Sequence, residues 1–504
     1  DLTLNAVGRD GRPAPFADAG VMNVDDGALF QDFVFFDEDA SVTLRVAPGH
    51  YHVVGFVMGG DFATVSMVGT PETEVTGDTT LTLDARLGLP LRTGVEGVDT
   101  RPSGVTLSYT RLDATSRYGL ASVFPVGAET AESGLFVQPT DPVAHGQFEV
   151  EVRTRHIPAA ADSPATSPLL YDLLFYGPEV PDPPAWTVSA AEAARLALNV
   201  GHYRAMNDRA DYTEIRLGFA PLQFFTGGSY EPLSVPRVRA EYVHPEPIVW
   251  LQDTAWFNEG AFIDWLGPFR TYRPGERVDP LWAGAPLRAD GYGERTADSL
   301  FLGVADLEDS GRHNGYIFEF NEPPLITQAL RLYRNGRLLA SSTTEPFLQT
   351  AVRPARARYR LERDFDADPV LAMADRSRTR WWFDSAAPAG EFEVLPLLEV
   401  DYDAAPLGGR NGAVAGRPVT VDLDVHRSEG AAASKVVATI LWFSTDDGGS
   451  WTRVRLRRLG PGRYRGVLPG GRLVSGSFVS LRAWARDAGN SRIHQTLLRA
   501  FPVR

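Results

Sequence analysis

The sequence predicts an all-β protein built from tandem antiparallel β-sandwiches, Ig-like or transthyretin-like, with one short helix in the middle region. Three observations lead there. Apolar residues alternate with period two along most of the chain, between punctuating Gly, Pro, Asn and Asp. The chain has 504 residues and is 43% hydrophobic, enough for several packed cores at roughly 100 to 200 residues each. No stretch approaches the roughly 18 consecutive apolar residues of a membrane helix.

The elements divide into a first sandwich over residues 1–86, a large region over 87–369 that is long enough for two units, and a last Ig-like sandwich over 370–504. In the first, "SVTLRVAPGHYHVVGFV" bends at Pro48-Gly49 between strands carrying Leu44, Val46 and Tyr51, Val53. The middle region holds the one helix start, an S-x-x-E capping box of Ser189 and Glu192. Asn335-Gly336 predicts a tight hairpin. The last unit has six or seven short strands with turn signals roughly every 8 to 12 residues, ending on a hairpin across Asp487-Ala488-Gly489-Asn490.

Composition narrows function. The net charge of −15 argues against nucleic-acid binding, since a polyanion is repelled at long range. Cysteine is absent, which removes disulfides, thiolate nucleophiles and cysteine-based zinc sites. Lys435 is the only lysine among 49 basic residues, a bias expected of a GC-rich, actinobacterial-type genome. The start lacks a charged n-region followed by an apolar h-region, so the chain reads as soluble, with any export signal already removed.

Few motifs point to chemistry. No G-x-S-x-G nucleophile turn occurs, and the subtilisin-type motifs around serine and histidine are missing. His145 precedes an alternating strand and reads as structural. His50 and His52 share a strand face that could clamp a metal, but no third ligand lies nearby in sequence, and two surface histidines are expected. Asp364, Asp366 and Asp368 mimic the start of a calcium loop. Pro369 and Asp375 break that pattern, so a solvated acidic turn is expected and no cofactor is required. "STDDGGSW" fits an Asp-box hairpin in which Asp446 accepts turn amides, Gly448 permits the bend and Trp451 packs beneath. The segment from Trp250 to Trp282 is rich in Gly and Pro and reads as long loops. There Trp256, Trp265 and Trp282 would form a contact platform, with Arg270, Arg273 and Arg277 pairing with a partner's acidic groups.

Several of these segments also carry a likeness. "SFVSLRAWARDAGNSRIHQTLLRAF", "STDDGGSWTRVRL" and "GRYRGVLP" together resemble the extreme C-terminal region of large secreted subtilisin-like (S8 family) serine peptidases from actinobacteria. "LTLNAVGRDGRPA" with "TLRVAPGHYHVVG" resembles the sandwich after the peptidase domain, and "YRLERDFDADP…TRWWFDSA" the junction before the last domain. The turn at Asp487–Asn490 is one residue shorter than in that family, and the peptidase domain with its catalytic motifs is absent from this sequence. The resemblance implies an extracellular or cell-surface, non-catalytic region serving stability, substrate docking or surface attachment. Its partner would be a protein, a cell surface or a second copy of the chain. The alternative is a self-assembling subunit of an extracellular fibre or surface layer, joined through open strand edges. A glycosidase would need converging carboxylates, with Asp253 and Glu259 or Asp306 and Glu308 as candidate pairs.

Overall fold

A computed structural model describes residues 1–14, 16–60, 62–206 and 211–504, with only the backbone at Asp211. Among the described residues every element longer than six residues is a strand. The chain is all-β, and its sandwiches share sheets with their neighbours.

The first core forms where Leu2, Leu4 and Ala6 of strand Leu2–Val7 pack on Ala19, Val21, Tyr51 and Val53 of a six-stranded sheet. The opposite face of that sheet is also buried, with Met22, Val54, Phe56 and Met67 meeting Leu107, Tyr109, Val150 and Val152 of an eight-stranded sheet. Strand Leu135–Val137 pairs in parallel with Val65–Val75 of the first unit. Hydrogen bonding thus runs across the 86/87 boundary drawn from sequence.

The next interface is ionic. Strand Gln147–Pro158 turns Val150 and Val152 to the apolar core and its alternate residues Glu149, Glu151, Arg153 and Arg155 to the other face. A nine-stranded sheet contributes to that layer through Glu214 and Arg216, so the charged face is closed from water too. Arg153 donates to Asp172 at 3.0 and 2.9 Å, Arg239 to Glu241 at 2.9 Å, and Arg216 to Gln252 at 2.6 Å and to Glu241. Arg155 and Arg239 both donate to Glu214, and Arg155 reaches Glu231 at 2.7 Å. Burial works against the charge on Arg155, Arg216 and Arg239, yet the surrounding carboxylates raise all three above their ordinary value. Arg153, Arg155, Arg216 and Arg239 balance Asp172, Glu214, Glu231 and Glu241. A buried charge without a partner would be strongly destabilising.

The largest core joins the nine-stranded sheet to an eight-stranded and a four-stranded sheet that complete the C-terminal half. The eight-stranded sheet contains both Ala357–Asp366 and Arg492–Pro502, with Arg376–Ser385 hydrogen-bonded between them. It therefore also runs across the 369/370 boundary. The final hairpin pairs Phe478–Asp487 with Arg492–Pro502. Asn335 and Gly336, at φ 49° and 83°, make the tight turn between Thr327–Arg334 and Arg337–Ser342. Ser189 and Glu192 form a reciprocal capping box on the helix Ala190–Ala193. A second short helix, Ala128–Ser133, has no side-chain cap, so the sequence carries no start signal for it.

Candidate binding groove

A cavity of about 630 Å³ lies over the outer face of the C-terminal eight-stranded sheet. Such a volume suits a short segment of polymer or a small ligand. Strand alternation explains its chemistry. In "RSRTRWWF", Thr379, Trp381 and Phe383 enter the core, so Arg376, Arg378 and Arg380 share the outer face. Pairing sets Arg378 between Asp364 and Thr496, with Arg482 on the far side of Thr496. Arg380 lies between Glu362 and His494 in the next row.

The turn between Ser444 and Trp451 forms one wall. Asp446 holds it by accepting from the Ser444 hydroxyl at 2.6 Å, the Ser450 amide at 2.9 Å and the Ser450 hydroxyl at 2.6 Å. Those hydrogen bonds from Ser444 and Ser450 keep its carboxyl at about 2. Gly448, at φ 87°, brings the chain over Trp451, whose ring is stacked by the Arg482 guanidinium at 3.9 Å.

Arg331, Arg376, Arg378, Arg380 and Arg482 line the groove with Asp364, Asp366 and Asp447, while Glu362 lies 3.3 Å from Arg380 and Asp375 3.7 Å from Arg376. Arg331 and Arg378 hold Asp364 at 2.8 and 2.5 Å, and although burial pushes that carboxyl up, their hydrogen bonds keep it below its ordinary value. Arg482 donates to Thr496 at 3.2 Å and has no salt bridge among the described residues. Burial, with the charges of Arg482 and Arg380, lowers the His494 imidazole, so it stands neutral beside them. The site therefore offers guanidinium forks, an aromatic wall and neutral hydroxyl and imidazole partners to an anionic group.

The tryptophan platform expected from sequence is core instead. Trp256 and Trp265 are 0% exposed and Trp282 is 3% exposed. The first part of the segment read as loops is a hairpin, Val249–Asn258 paired with Ala261–Leu266, whose inward face brings Trp256 and Trp265 together, tilted, at 4.5 Å; loops with two short strands follow from Gly267 to Trp282. Trp282 stacks on His313 at 3.6 Å. Arg270 and Arg277 are neutralised locally by Glu276 and Asp279, and Arg273 gives its backbone amide to Glu276. What that hairpin does expose is Phe257 on its other face.

Asp364, Asp366 and Asp368 do not form a ligand shell. Asp364 is on a strand between two arginines, and Asp366 accepts the Asp368 amide at 3.2 Å in a tight turn. The glycosidase pairs do not converge on a cleft either. Asp306 is held by Arg363 and Glu308 by Arg288, while Glu259 is at a hairpin turn with φ 48°. Asp253 has Asp264 as its neighbour, and burial first, then that neighbour's charge, raises it to about 7. His50 and His52 share a face as expected, but the next sheet covers His52 completely against Tyr109 and Phe148. His50 stays at the rim. No local signal marked the groove, because its arginines come from strands more than a hundred residues apart, Arg331 to Arg482.

Fold and groove together define a multi-sandwich β-protein with an arginine-lined groove on its C-terminal sheet. No protein-family model matches the chain, and no curated protein does. Among solved structures it is similar to FdeC, an Escherichia coli adhesin eliciting protection against urinary tract infections, at 11% identity and a TM-score of 0.15. That alignment covers 62% of this chain and 98% of the other.

Proposed function

We propose that the chain is a non-catalytic, extracellular docking region of a secreted subtilase-like protein, and that it holds acidic peptide segments in the C-terminal arginine groove. The observation that carries this is Arg482, stacked on Trp451 and unengaged by any carboxylate among the described residues, in a groove with more arginine than aspartate. The parentage rests on the order of the strand and turn motifs from "LTLNAVGRDGRPA" to the closing hairpin. At physiological salt, charges beyond about 8 Å are screened, so a ligand in the groove meets Arg482 and its neighbours rather than the net charge of the whole chain.

Titration calorimetry with a glutamate-rich octapeptide and its glutamine counterpart tests this. The acidic peptide is expected to bind at one site, and Arg482→Ala to weaken it about tenfold or more, the loss typical of a charge-assisted hydrogen bond. Arg12→Ala, on an exposed loop far in sequence from the groove, should leave binding unchanged. Equal affinity for both peptides, or indifference to Arg482→Ala, would remove the groove as a docking site. Turnover of casein by the purified chain, inhibited by a serine-directed phosphonate, would overturn the non-catalytic assignment.

A further inference from the structure

Four segments distant in sequence meet where the first sandwich joins the second. Asp25 follows strand Ala17–Asn23, His50 lies in Gly49–Met58, Glu72 in Val65–Val75, and His145 just before Gln147–Pro158. One ligand atom each from Asp25, His50 and His145 lies within 4.8 Å of the other two. The two imidazoles stack at 4.2 Å with planes 23° apart.

This corner is positioned by a dense set of bonds. The Asn23 side-chain oxygen accepts the Asp25 and Asp26 amides at 3.1 and 3.0 Å, fixing the loop. Asp25 accepts the His50 amide at 2.8 Å and approaches His50 Nδ1 to 3.0 Å. A Cβ on Gly49 would come within 2.8 Å of the Asn23 side-chain nitrogen and 3.0 Å of Asp25 Oδ2, so glycine lets the strand come this close. Glu72 accepts the Ala144 and His145 amides at 3.0 Å each and lies 2.8 Å from His145 Nδ1. Burial pushes both carboxyls up, but the hydrogen bonds around His50 and His145 win and hold Asp25 and Glu72 below their ordinary values.

Mere hydrogen-bonded pairing would explain one histidine and one carboxylate. It does not explain why two such pairs, from four separate segments, converge on one corner with their rings in contact. A cation held at the ring edges by in-plane nitrogen lone pairs, together with Asp25, gives that convergence a cause. The donor set is two nitrogens and one carboxylate, which suits zinc-class ions rather than calcium, with its six to eight oxygens. The 3.0 Å between His50 Nδ1 and Asp25 is close to the roughly 3.3 Å edge of a tetrahedron with bonds of about 2.05 Å. Glu72 behind His145 is the carboxylate–histidine arrangement that orients metal-binding imidazoles. The side chains of Asp25, His50 and His145 are 39, 33 and 39% exposed, which leaves an entry path.

We infer that Asp25, His50 and His145 bind a zinc-class divalent cation, with Glu72 as positioning residue, and that the ion staples the first sandwich to the second. Asp25 follows a strand of the six-stranded sheet that contains His50, whereas His145 leads into the eight-stranded one. In a chain without cysteine this is a cross-link that no disulfide supplies.

The test uses the full chain stripped with EDTA and titrated with Zn²⁺, with Mg²⁺ and Ca²⁺ alongside, by calorimetry and thermal melting. One saturable zinc equivalent and a higher melting temperature are expected, with no such response to Mg²⁺ or Ca²⁺. Co²⁺ should give the visible absorption of a tetrahedral site. His145→Gln and Asp25→Asn should each weaken zinc binding by about 100-fold or more, and Glu72→Gln by about 10- to 100-fold. His202→Gln, at a half-buried histidine elsewhere, should change nothing. Should one variant fail to melt cooperatively without metal, the other and the Co²⁺ spectrum decide. Zinc binding weaker than millimolar, or equal in His145→Gln, Asp25→Asn and the parent, would overturn the assignment.

Discussion

Glu151 gives the sharpest check on the ionic layer. It lies in strand Gln147–Pro158 between Ser108 and Tyr176, is 0% exposed, and is lidded by the loop whose Leu222 amide binds Glu149 and whose Gln223 binds Ser108. Burial, then the charge of Glu149, raises its carboxyl from 4.5 to about 8. A carboxyl raised in the folded state keeps its proton there while the unfolded chain has already lost it. Its contribution to stability is therefore complete below pH 4.5 and is lost as pH rises through about 8. The difference of 3.5 units, at about 1.4 kcal/mol per unit, sets a ceiling of about 5 kcal/mol. Glu151→Gln keeps the shape and removes the titration. It should match the parent near pH 5 and exceed it at pH 9 by about 3 kcal/mol or more. Urea unfolding with amide exchange read in Gln147–Pro158 isolates this sheet, which matters because several sandwiches need not unfold together. A gap between variant and parent that stays constant from pH 5 to 9, or favours the parent at pH 9, would refute the reasoning.

Trp256→Ala should destabilise the protein by about 3 to 5 kcal/mol, because the indole fills a site between Tyr212 and Trp265 with no access to water. The melting temperature should fall while acidic-peptide affinity of the remaining folded protein is unchanged. Asp446→Asn should lower the stability of the C-terminal sandwich at neutral pH. Its folded carboxyl is depressed to about 2, so its contribution is present above pH 3.8 and lost toward pH 2, and acid melts of variant and parent should converge there.

Local signals were legible in the sequence wherever one short stretch contains the whole cause. Asn335-Gly336 supplies both positive-φ residues of its turn, and Ser189 with Glu192 supplies both halves of its cap. The 444–451 turn likewise closes on its own side chains. The zinc-class site had no such signature, since strand pairing brings residues 25, 50 and 72 together and the packing of the second sheet adds residue 145. The tryptophan hairpin misled for a related reason. Asn258-Glu259-Gly260 and Gly267-Pro268 resemble loop composition, but Glu259 and Gly260, both at positive φ, make one tight turn between two well-paired strands.

The deepest ambiguity lies in "FEVEVRTR". Alternation says that Val150 and Val152 face away from Glu149, Glu151, Arg153 and Arg155, and both faces prove to be buried. Period two reports only that the two faces differ. It cannot distinguish water from a layer of charges contributed by another strand. The distinction depends on Glu214, Arg216, Arg239 and Glu241, whose own strands show the same alternation and would separately read as half exposed. Only their sum, with Asp172 and Glu231, neutralises the layer, and arginine suits that role because it keeps its charge at any physiological pH and can serve two carboxylates at once, as Arg155 and Arg239 do. A slip of one residue would turn all of these side chains to the other face and separate their ion pairs together, so the same alternation that concealed the interface also fixes its register.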